Sequence, residues 1–269
     1  DLTNYEGTEY FVSNLHLFDL ATSDDVTLLS SRDPVGGTDD YLMTFYEIDM
    51  YEDIIVWNGK DAGEPIDNPS LCVFDLATMR RTRPADLDTC AFTRIWGRNV
   101  VCQGWWLPNV EEVALFNLDT GEGLRYLTNH PEAQLHPDIW ENRVVWVDFR
   151  AEQCADIYWC ELPECIPQPV TTNQACQDFP AIEGDWIVWH DFRNDSNPLD
   201  FYSGDHDNIE IWGYNIETGQ EYQLVSFGEI FSNRLRVEGG NLYFAANPEE
   251  GKPSSDPNAI FEVDLSQFL

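Results

Sequence analysis

Two stretches of the chain repeat each other, and they decide its fold. They read Glu141-Asn-Arg-Val-Val-Trp-Val-Asp-Phe-Arg150 and Gly184-Asp-Trp-Ile-Val-Trp-His-Asp-Phe-Arg193. Aligning them on their central tryptophans extends the match to four more units, whose turn positions share this register. The six turn residues are Gly7, Glu52, Gly97, Glu141, Gly184 and Gly239, with spacings of 45, 45, 44, 43 and 55 residues. A period of this length is typical of a repeat architecture.

Each repeat contains more than one strand. A second apolar run follows the first and ends in an acidic or amide turn, as in Ile157–Leu162 and Ile211–Ile216, and a short outer strand comes after it. Short apolar runs separated by Gly, Asp and Asn turns indicate strands rather than helices. Because a four-stranded antiparallel unit repeated at this period is typical of a propeller blade, the sequence predicts an all-β fold, a six-bladed β-propeller.

The predicted propeller is a single domain spanning residues 1–269. Its units cover approximately residues 2–31, 45–84, 92–128, 136–172, 179–226 and 234–269. The alternative is a five-bladed propeller in which the first and last units merge into one closing blade.

The charge of the chain narrows the choice of partners. There are 49 acidic residues against 14 basic ones, which gives a formal net charge of −35. A field of this sign repels nucleic acid, and no apolar stretch is long enough to insert into a membrane. The acidity favours either the binding of cations such as Ca²⁺ or of a basic partner, or adaptation of the surface to salty water.

The seven cysteines form no C-x-x-C pair, which argues against a zinc ribbon or a thioredoxin-type site. Clustered cysteines outside a metal pattern favour disulfides, and disulfides favour an exported protein. Their positions in the predicted blades indicate three bridges and a buried free thiol at Cys72. The three bridges are Cys90–Cys102, Cys154–Cys176 and Cys160–Cys165.

The segments 182–193 and 215–225 resemble the TolB-like (PD40-type, WD40-like) β-propeller repeat. That repeat runs G-x-x-I-V-W-x-D-x-R, then D-I-Y-x-Y-D-L-x-T-G, then a strand ending in L-T. The match is strong in the fourth and fifth units and weakest in the first and sixth. The resemblance implies a secreted, periplasmic or cell-surface bacterial propeller, and no particular activity, because fold alone does not fix function.

Candidate site residues fall on the end of the blades that carries the long loops, where binding usually occurs. Asp148/Arg150 and Asp191/Arg193 end equivalent strands, so they either line a polar pocket or form a repeated bond between blades. The adjacent Trp105 and Trp106 could stack on a sugar ring or form a blade edge. Histidines on this end could hold a metal ion, although their spacing is not that of a metal site. The ligand-binding candidates are Asp148, Arg150, His190, Asp191, Arg193, Trp105, Trp106 and His136; the further histidines are His130 and His206.

The loop from Asp191 to Asn208 is rich in aspartate. Several carboxylate oxygens on one loop could wrap a Ca²⁺ ion, although the loop lacks the twelve-residue EF-hand pattern. Asp and Asn are also frequent simply because they favour turns. The predicted metal ligands are Asp195, Asp200, Asp205 and Asp207.

The predicted function is that of an exported, non-enzymatic binding module that recognises a protein or a glycan through the long-loop end. The alternative is a carbohydrate-active enzyme, either a polysaccharide lyase or a glycoside hydrolase, with its site at the same end. A third possibility is a structural spacer within a larger surface protein. The negative charge counts against lyase action on an acidic polysaccharide, and no carboxylate pair can be singled out for a hydrolase.

Overall fold

The computed structural model describes most of the chain in two compact units, residues 1–93 and 94–269. The prediction of a single domain therefore stays a prediction. The described residues are 2–5, 8–11, 14–19, 21–30, 42–61, 70–84, 90–107, 110–151, 154–199, 208–226, 234–246 and 259–269.

The first unit contains two short hairpins and one complete four-stranded sheet. The hairpins pair β1 (Leu2–Tyr5) with β2 (Thr8–Phe11), and β3 (Asn14–Phe18) with β4 (Asp25–Ser30). The sheet contains β5 (Leu42–Tyr51), β6 (Ile54–Asp61), β7 (Ser70–Asp75) and β8 (Arg80–Thr82) in sequence order.

The second unit contains three four-stranded sheets and one three-stranded sheet, all antiparallel and all in sequence order. The first has β9 (Ala91–Trp96), whose first residues precede the unit boundary, β10 (Asn99–Leu107), β11 (Val110–Asn117) and β12 (Arg125–Tyr126). The second has β13 (Gln134–Trp140), β14 (Arg143–Asp148), β15 (Asp156–Glu161) and β16 (Gln168–Pro169). The third has β17 (Gln177–Glu183), β18 (Trp186–Asp191), β19 (Glu210–Asn215) and β20 (Gln220–Val225). The last has β21 (Arg236–Glu238), β22 (Asn241–Ala246) and β23 (Ala259–Asp264), followed by a 3₁₀ turn, η1 (Leu265–Phe268).

The fold is an all-β propeller, and its count of blades is that of the five-bladed alternative; a closing blade shared by the first and last units stays a prediction. Five sheets have three or four strands, whereas the predicted first blade, residues 2–31, forms two separate two-stranded sheets. The count of six is therefore wrong. Only Val12 and Ser13 lie between β2 and β3, and a two-residue hairpin needs left-handed backbone that Gly, Asn and Asp adopt more readily than β-branched Val.

The hairpin between the first two strands of each blade lies where the repeat predicts it. The turn residues Glu52, Gly97, Glu141, Gly184 and Gly239 all have φ between 50° and 60°. The pairing of Trp140 with Arg143 and of Glu183 with Trp186 leaves two residues in each turn. Left-handed backbone at the first of these matches the twist of the strands. The predicted equivalence is confirmed at these five positions, and Gly7 lies outside the described residues.

A second left-handed position recurs in the innermost strand of four blades, five residues before each turn. Its φ is 51° at Glu47, 51° at Phe92, 48° at His136 and 47° at Phe179. The strand registers shift at this point in three of these blades, between Tyr46 and Asp49, Leu135 and Asp138, and Asp178 and Ala181. A bulge of this kind re-aims side chains within a strand. No glycine occupies these positions, so the bulge could not be predicted from the residue types.

The core of the second unit lies between successive sheets. One buried cluster joins Val101 and Val113 of one sheet to Val144 and Trp146 of the next. The following clusters repeat this arrangement around Trp189 and then around Phe244. The tryptophans that align the repeat are therefore the packing elements between blades. Trp57, Trp146 and Trp189 are fully buried, and each fully buried apolar side chain contributes about 1.5–3 kcal/mol or more.

The predicted cysteine chemistry is confirmed at the positions that can be compared. Cys154 bonds to Cys176 and Cys160 bonds to Cys165, with Cα separations of 5.0 Å and 4.8 Å. Cys90 and Cys102 are also in the disulfide form, and Cys72 is a buried free cysteine. Among the described residues, no helix has the length and hydropathy needed to span a membrane.

Candidate functional site

The Asp-x-Arg element at the end of β14 forms a closed fork. The carboxylate of Asp148 is fully buried and accepts four hydrogen bonds, from Trp146 Nε1 at 2.9 Å and from Arg150 N, Nε and Nη2 at 3.0, 2.8 and 2.7 Å. The hydrogen bond to Asp148 also raises the pKa of Arg150. A buried carboxylate needs such donors because burying an unpaired charge is costly.

The same fork recurs in the next blade at the end of β18. Asp191 is fully buried and accepts from Trp189 Nε1 at 2.9 Å and from Arg193 N, Nε and Nη2 at 2.9, 2.7 and 2.7 Å. Both forks join residues of one blade, so the expectation that this Asp–Arg bond locks one blade to the next is wrong. A role of these residues in ligand binding stays a prediction.

The contact between blades is made instead by other polar groups. Arg143 Nη1 donates to Gly184 O at 2.6 Å and to Asp185 Oδ1 at 2.9 Å in the following blade. Asp138 Oδ2 accepts from Ile182 N at 2.9 Å. These bonds tie the turn and the innermost strand of one blade to those of the next.

Each guanidinium of the two forks lies over an aromatic ring of the third strand in its own blade. The Cζ of Arg150 is 4.4 Å from the centre of the Tyr158 ring, and that of Arg193 is 3.7 Å from the centre of the Trp212 ring. Stacking of this kind is favourable and fixes the plane of the guanidinium. Tyr158 and Trp212 were not among the predicted site residues. Both occupy the second position of the aligned runs Ile157–Leu162 and Ile211–Ile216.

A second repeated element pairs a buried acid with a hydroxyl group. Thr171 Oγ1 donates to Asp156 Oδ1 at 2.9 Å, and Thr128 Oγ1 lies against Glu112 Oε2 in the preceding blade. Burial raises the pKa of Asp156 to about 6; the bond from Thr171 opposes the rise, and the negative charges of Asp148 and Asp191 add to it. The Leu-Thr ending of the repeat was the sequence signal for Thr128, whereas Thr171 follows Val170; the partner acids were not predicted.

Two of the predicted histidines, His136 on β13 and His190 on β18, contact the same phenylalanine. His136 Nδ1 is 2.6 Å from Asp178 Oδ1, and the His136 ring stacks on Phe179 with centroids 4.5 Å apart. His190 meets the same phenyl ring edge-on at 5.8 Å. The structure thus brings together the predicted His136 and His190, and adds Asp178 and Phe179, which the sequence had not indicated.

His190 is held neutral by its surroundings. It is only 3% exposed, and its Nε2 has no hydrogen-bond partner among the described residues. Burial lowers the pKa of His190 to about 4, and the charge of Asp178 only partly opposes the shift. A neutral, buried imidazole is a structural group rather than a cation at neutral pH.

The aspartate-rich loop is described only at its two ends. Asp195 Oδ1 accepts from Asn197 N at 2.7 Å and Oδ2 accepts from Asn208 N at 3.0 Å, so this buried carboxylate closes the loop on itself. Asp200, Asp205 and Asp207 lie outside the described residues, as does His206. Among the described residues there is no cluster of acidic, histidine or cysteine side chains able to hold a metal ion.

The binding of calcium by this loop stays a prediction. A native-state ligand raises stability by mass action, so we expect millimolar CaCl₂ to raise the melting temperature more than NaCl of equal ionic strength. An Asp205→Asn/Asp207→Asn variant should lose that difference. Equal shifts with the two salts would show that the loop carries no calcium site.

The predicted stacking pair Trp105 and Trp106 lies in β10, where Trp105 pairs with Glu111 across the ladder. Their side chains lie outside the described part of the chain. Sugar stacking by these residues therefore stays a prediction.

The long-loop end is fixed covalently near the second fork. Cys154, in the loop after β14, bonds to Cys176 at the start of β17. Cys176 N in turn donates to Pro198 O at 2.8 Å, in the loop that follows β18. Loops from two neighbouring blades are thus held against each other at this end.

Comparison with known proteins shows the fold. No protein-family model and no curated protein matches the chain. Among solved structures, a putative TolB from Agrobacterium tumefaciens aligns over 86% of this chain and 76% of its own, with 14% identity and a TM-score of 0.63. TolB from Acinetobacter baumannii aligns over 87% of this chain with 15% identity and a TM-score of 0.59, and this chain spans about half of it, 54%.

A crystal structure of a nidogen/laminin complex aligns over 99% of this chain and 85% of its own, with 13% identity and a TM-score of 0.57. Identities this low establish the architecture and nothing more specific. Together with the confirmed turns and blades, they show that this chain has the β-propeller fold of TolB-like structures.

Proposed function

We propose that the protein is an exported binding module that recognises a partner protein through the end of the blades where β14 and β18 terminate. The observation that carries this proposal is the repetition of the Asp–Arg fork in identical geometry in two neighbouring blades. A catalytic centre needs groups in different roles, whereas a repeated, internally bonded unit is suited to hold loops in place.

Two further observations support a protein partner. Loops from two blades are tied together at this end through Cys154 and Cys176, and a preorganised surface loses less entropy on binding. The propeller that covers nearly this whole chain comes from a protein–protein complex, that of nidogen with laminin. The disulfides favour a secreted, periplasmic or cell-surface location. Glycan recognition by the same end is the alternative ligand class.

The experiment is affinity capture from the envelope and secreted fractions of the source cells, with two matched bait variants. The first changes the binding end, at Asn197→Arg/Leu199→Arg; both side chains are exposed in the loop after β18. The second makes the same change in charge at the opposite ends of the strands, at Asn142→Arg/Thr218→Arg, also exposed. We expect a protein captured by the native chain to be lost with the first variant and retained with the second. The reverse pattern would contradict the proposal.

One observation favours the enzyme alternative. His136 and Asp178 form a close pair at 2.6 Å, and a histidine oriented by a carboxylate is a common general base. A carbohydrate-active enzyme using this pair would release reducing ends from a polysaccharide, and His136→Gln would abolish the release. Activity that survives His136→Gln would exclude this pair as the base.

A further inference from the structure

The two Asp–Arg forks are alike in every bond but one. In both, Nε and Nη2 of the arginine bind the two oxygens of a fully buried aspartate. In the second fork the remaining nitrogen, Arg193 Nη1, lies 2.7 Å from Glu221 Oε1 on β20. That fork is therefore a guanidinium with a carboxylate on each side. Within the described part of the chain, the corresponding nitrogen of Arg150 has no acceptor.

The sequence register explains why Arg150 lacks this second carboxylate. Tyr158 pairs with Pro169, and Trp212, its counterpart in the next blade, pairs with Gln223. The residue two positions before Gln223 is Glu221, and the residue two positions before Pro169 is Pro167. The outer strand is also shorter, two residues in β16 against six in β20. Proline thus stands where the neighbouring blade supplies an acid.

The open side of Arg150 is both accessible and rigid. The arginine side chain is 27% exposed while its partner Asp148 is fully buried. Two hydrogen bonds and the Tyr158 ring hold the guanidinium plane in place. A rigid guanidinium with one unused edge presents parallel donors that match a carboxylate. A ligand that binds there does not have to order the arginine side chain first.

We propose that Arg150 Nη1 binds a carboxylate side chain, Glu or Asp, of the partner protein, in the position that Glu221 occupies on Arg193. This inference rests on the proposed function and names the contact group. The neighbouring blade presents its carboxylate from an extended strand, which an extended segment of a partner can reproduce. The net charge of −35 repels a polyanion, so the carboxylate belongs to a segment that is otherwise neutral or basic.

The test uses two short peptides, acetyl-Val-Glu-Val-amide and acetyl-Val-Gln-Val-amide, titrated at constant ionic strength. The readout is the NMR signal of each arginine guanidinium. We expect the glutamate peptide to shift the signal of Arg150 and not that of Arg193, and the glutamine peptide to bind about tenfold more weakly, because hydrogen bonds to an ionised acceptor are the stronger ones. Equal affinity of the two peptides would overturn the proposal.

Two variants make the test specific without removing either arginine. Pro167→Glu supplies the missing carboxylate within the chain and should abolish the response of Arg150. Glu221→Ala removes the acceptor that lies 2.7 Å from Arg193 Nη1 and should create a second responding site. Glucuronate serves as the competing probe, and saturation of Arg150 by glucuronate at lower concentration than by the glutamate peptide would overturn the assignment to a protein ligand.

The peptide titration and the capture experiment fail separately. A partner retained with Asn197→Arg/Leu199→Arg and lost with the control variant, together with an intact peptide response, would contradict the proposed function while the carboxylate site stands. If a partner is captured as expected but Arg150 does not respond to the peptide, the proposed binding surface stands and the role of Arg150 is overturned.

Discussion

Replacing the buried acid of the first fork tests whether the repeated Asp–Arg element stabilises the fold. In Asp148→Asn, one carboxylate oxygen becomes an NH₂ donor. Oδ2 accepts from Trp146 Nε1 and Arg150 Nη2, and Oδ1 accepts from Arg150 N and Nε. Whichever oxygen is replaced, two donors lose their acceptor, and the remaining bonds lose the negative charge.

The expected cost follows from those two lost bonds. One is a charge-assisted bond from the guanidinium, worth about 1.5–3 kcal/mol, and the other is a neutral bond worth about 1 kcal/mol. The free energy of unfolding should therefore fall by about 2.5–4 kcal/mol. This agrees with the 3–5 kcal/mol that is typical when one partner of a buried ion pair is removed. Asp191→Asn removes the same set of bonds and should cost a similar amount.

The matched control is Asp185→Asn. Its side chain is 44% exposed and lies 2.9 Å from Arg143 Nη1, so its loss should cost no more than about 1 kcal/mol. Urea unfolding at pH 7, followed by tryptophan fluorescence, measures all three variants, and unchanged m-values keep the comparison valid. An Asp148→Asn cost as small as that of Asp185→Asn would refute the stabilising role of the fork.

Three further predictions use the same unfolding assay. His190 has a folded pKa of about 4, below that of the unfolded chain. The unfolded state therefore takes up its proton first, and stability falls as the pH drops from about 6.5 to 4. His190→Gln should remove that part of the acid sensitivity, and an unchanged pH profile of stability would contradict the prediction. Asp156 has the opposite sign, since its folded pKa of about 6 lies above that of the unfolded chain, so its contribution to stability decreases as the pH rises from about 4 to 6. Asp156→Asn, which keeps an acceptor for Thr171, should therefore stabilise the protein more at pH 8 than at pH 5, and the reverse order would be inconsistent with a raised pKa. Replacing Cys154 and Cys176 by serine opens a bridge of sequence separation 22 and should lower the free energy of unfolding by about 3 kcal/mol. An unchanged free energy of unfolding in this variant would contradict a stabilising bridge.

The sequence predicted the parts of the fold that are encoded locally. Turn residues at Glu52, Glu141 and Gly184 could be located because a two-residue hairpin depends on the residues at two adjacent positions of the sequence. The buried tryptophans were visible because a central strand of a blade is apolar on both faces. The Cys160–Cys165 bridge followed from its position on either side of one turn.

The parts that were missed depend on pairing between distant segments. The first repeat follows the period of the others and was therefore counted as a blade, although the two residues between β2 and β3 do not favour a hairpin. The contact between His136 and Asp178 joins residues 42 positions apart on strands of different blades, and it depends on a bulge at which no glycine stands. Likewise Asp148 and Arg150 were recognised as a pair, but only the structure shows that the bond stays inside one blade.

The repeat itself supplies the comparison that points to function. Where two blades keep the same residues and the same bonds, as at Trp146 and Trp189, the shared feature serves the packing that every blade needs. A departure from the repeat has no such explanation, because the neighbouring blade shows that the missing group could be accommodated. Pro167 in place of an acid is such a departure, and within the described residues it leaves one edge of a rigid, partly exposed guanidinium without an acceptor, in a chain with 49 acidic and 14 basic residues. The partly exposed Arg150 is therefore a stronger indication of a ligand than the buried Asp148 and Asp191, whose carboxylates are already bonded within their own blades.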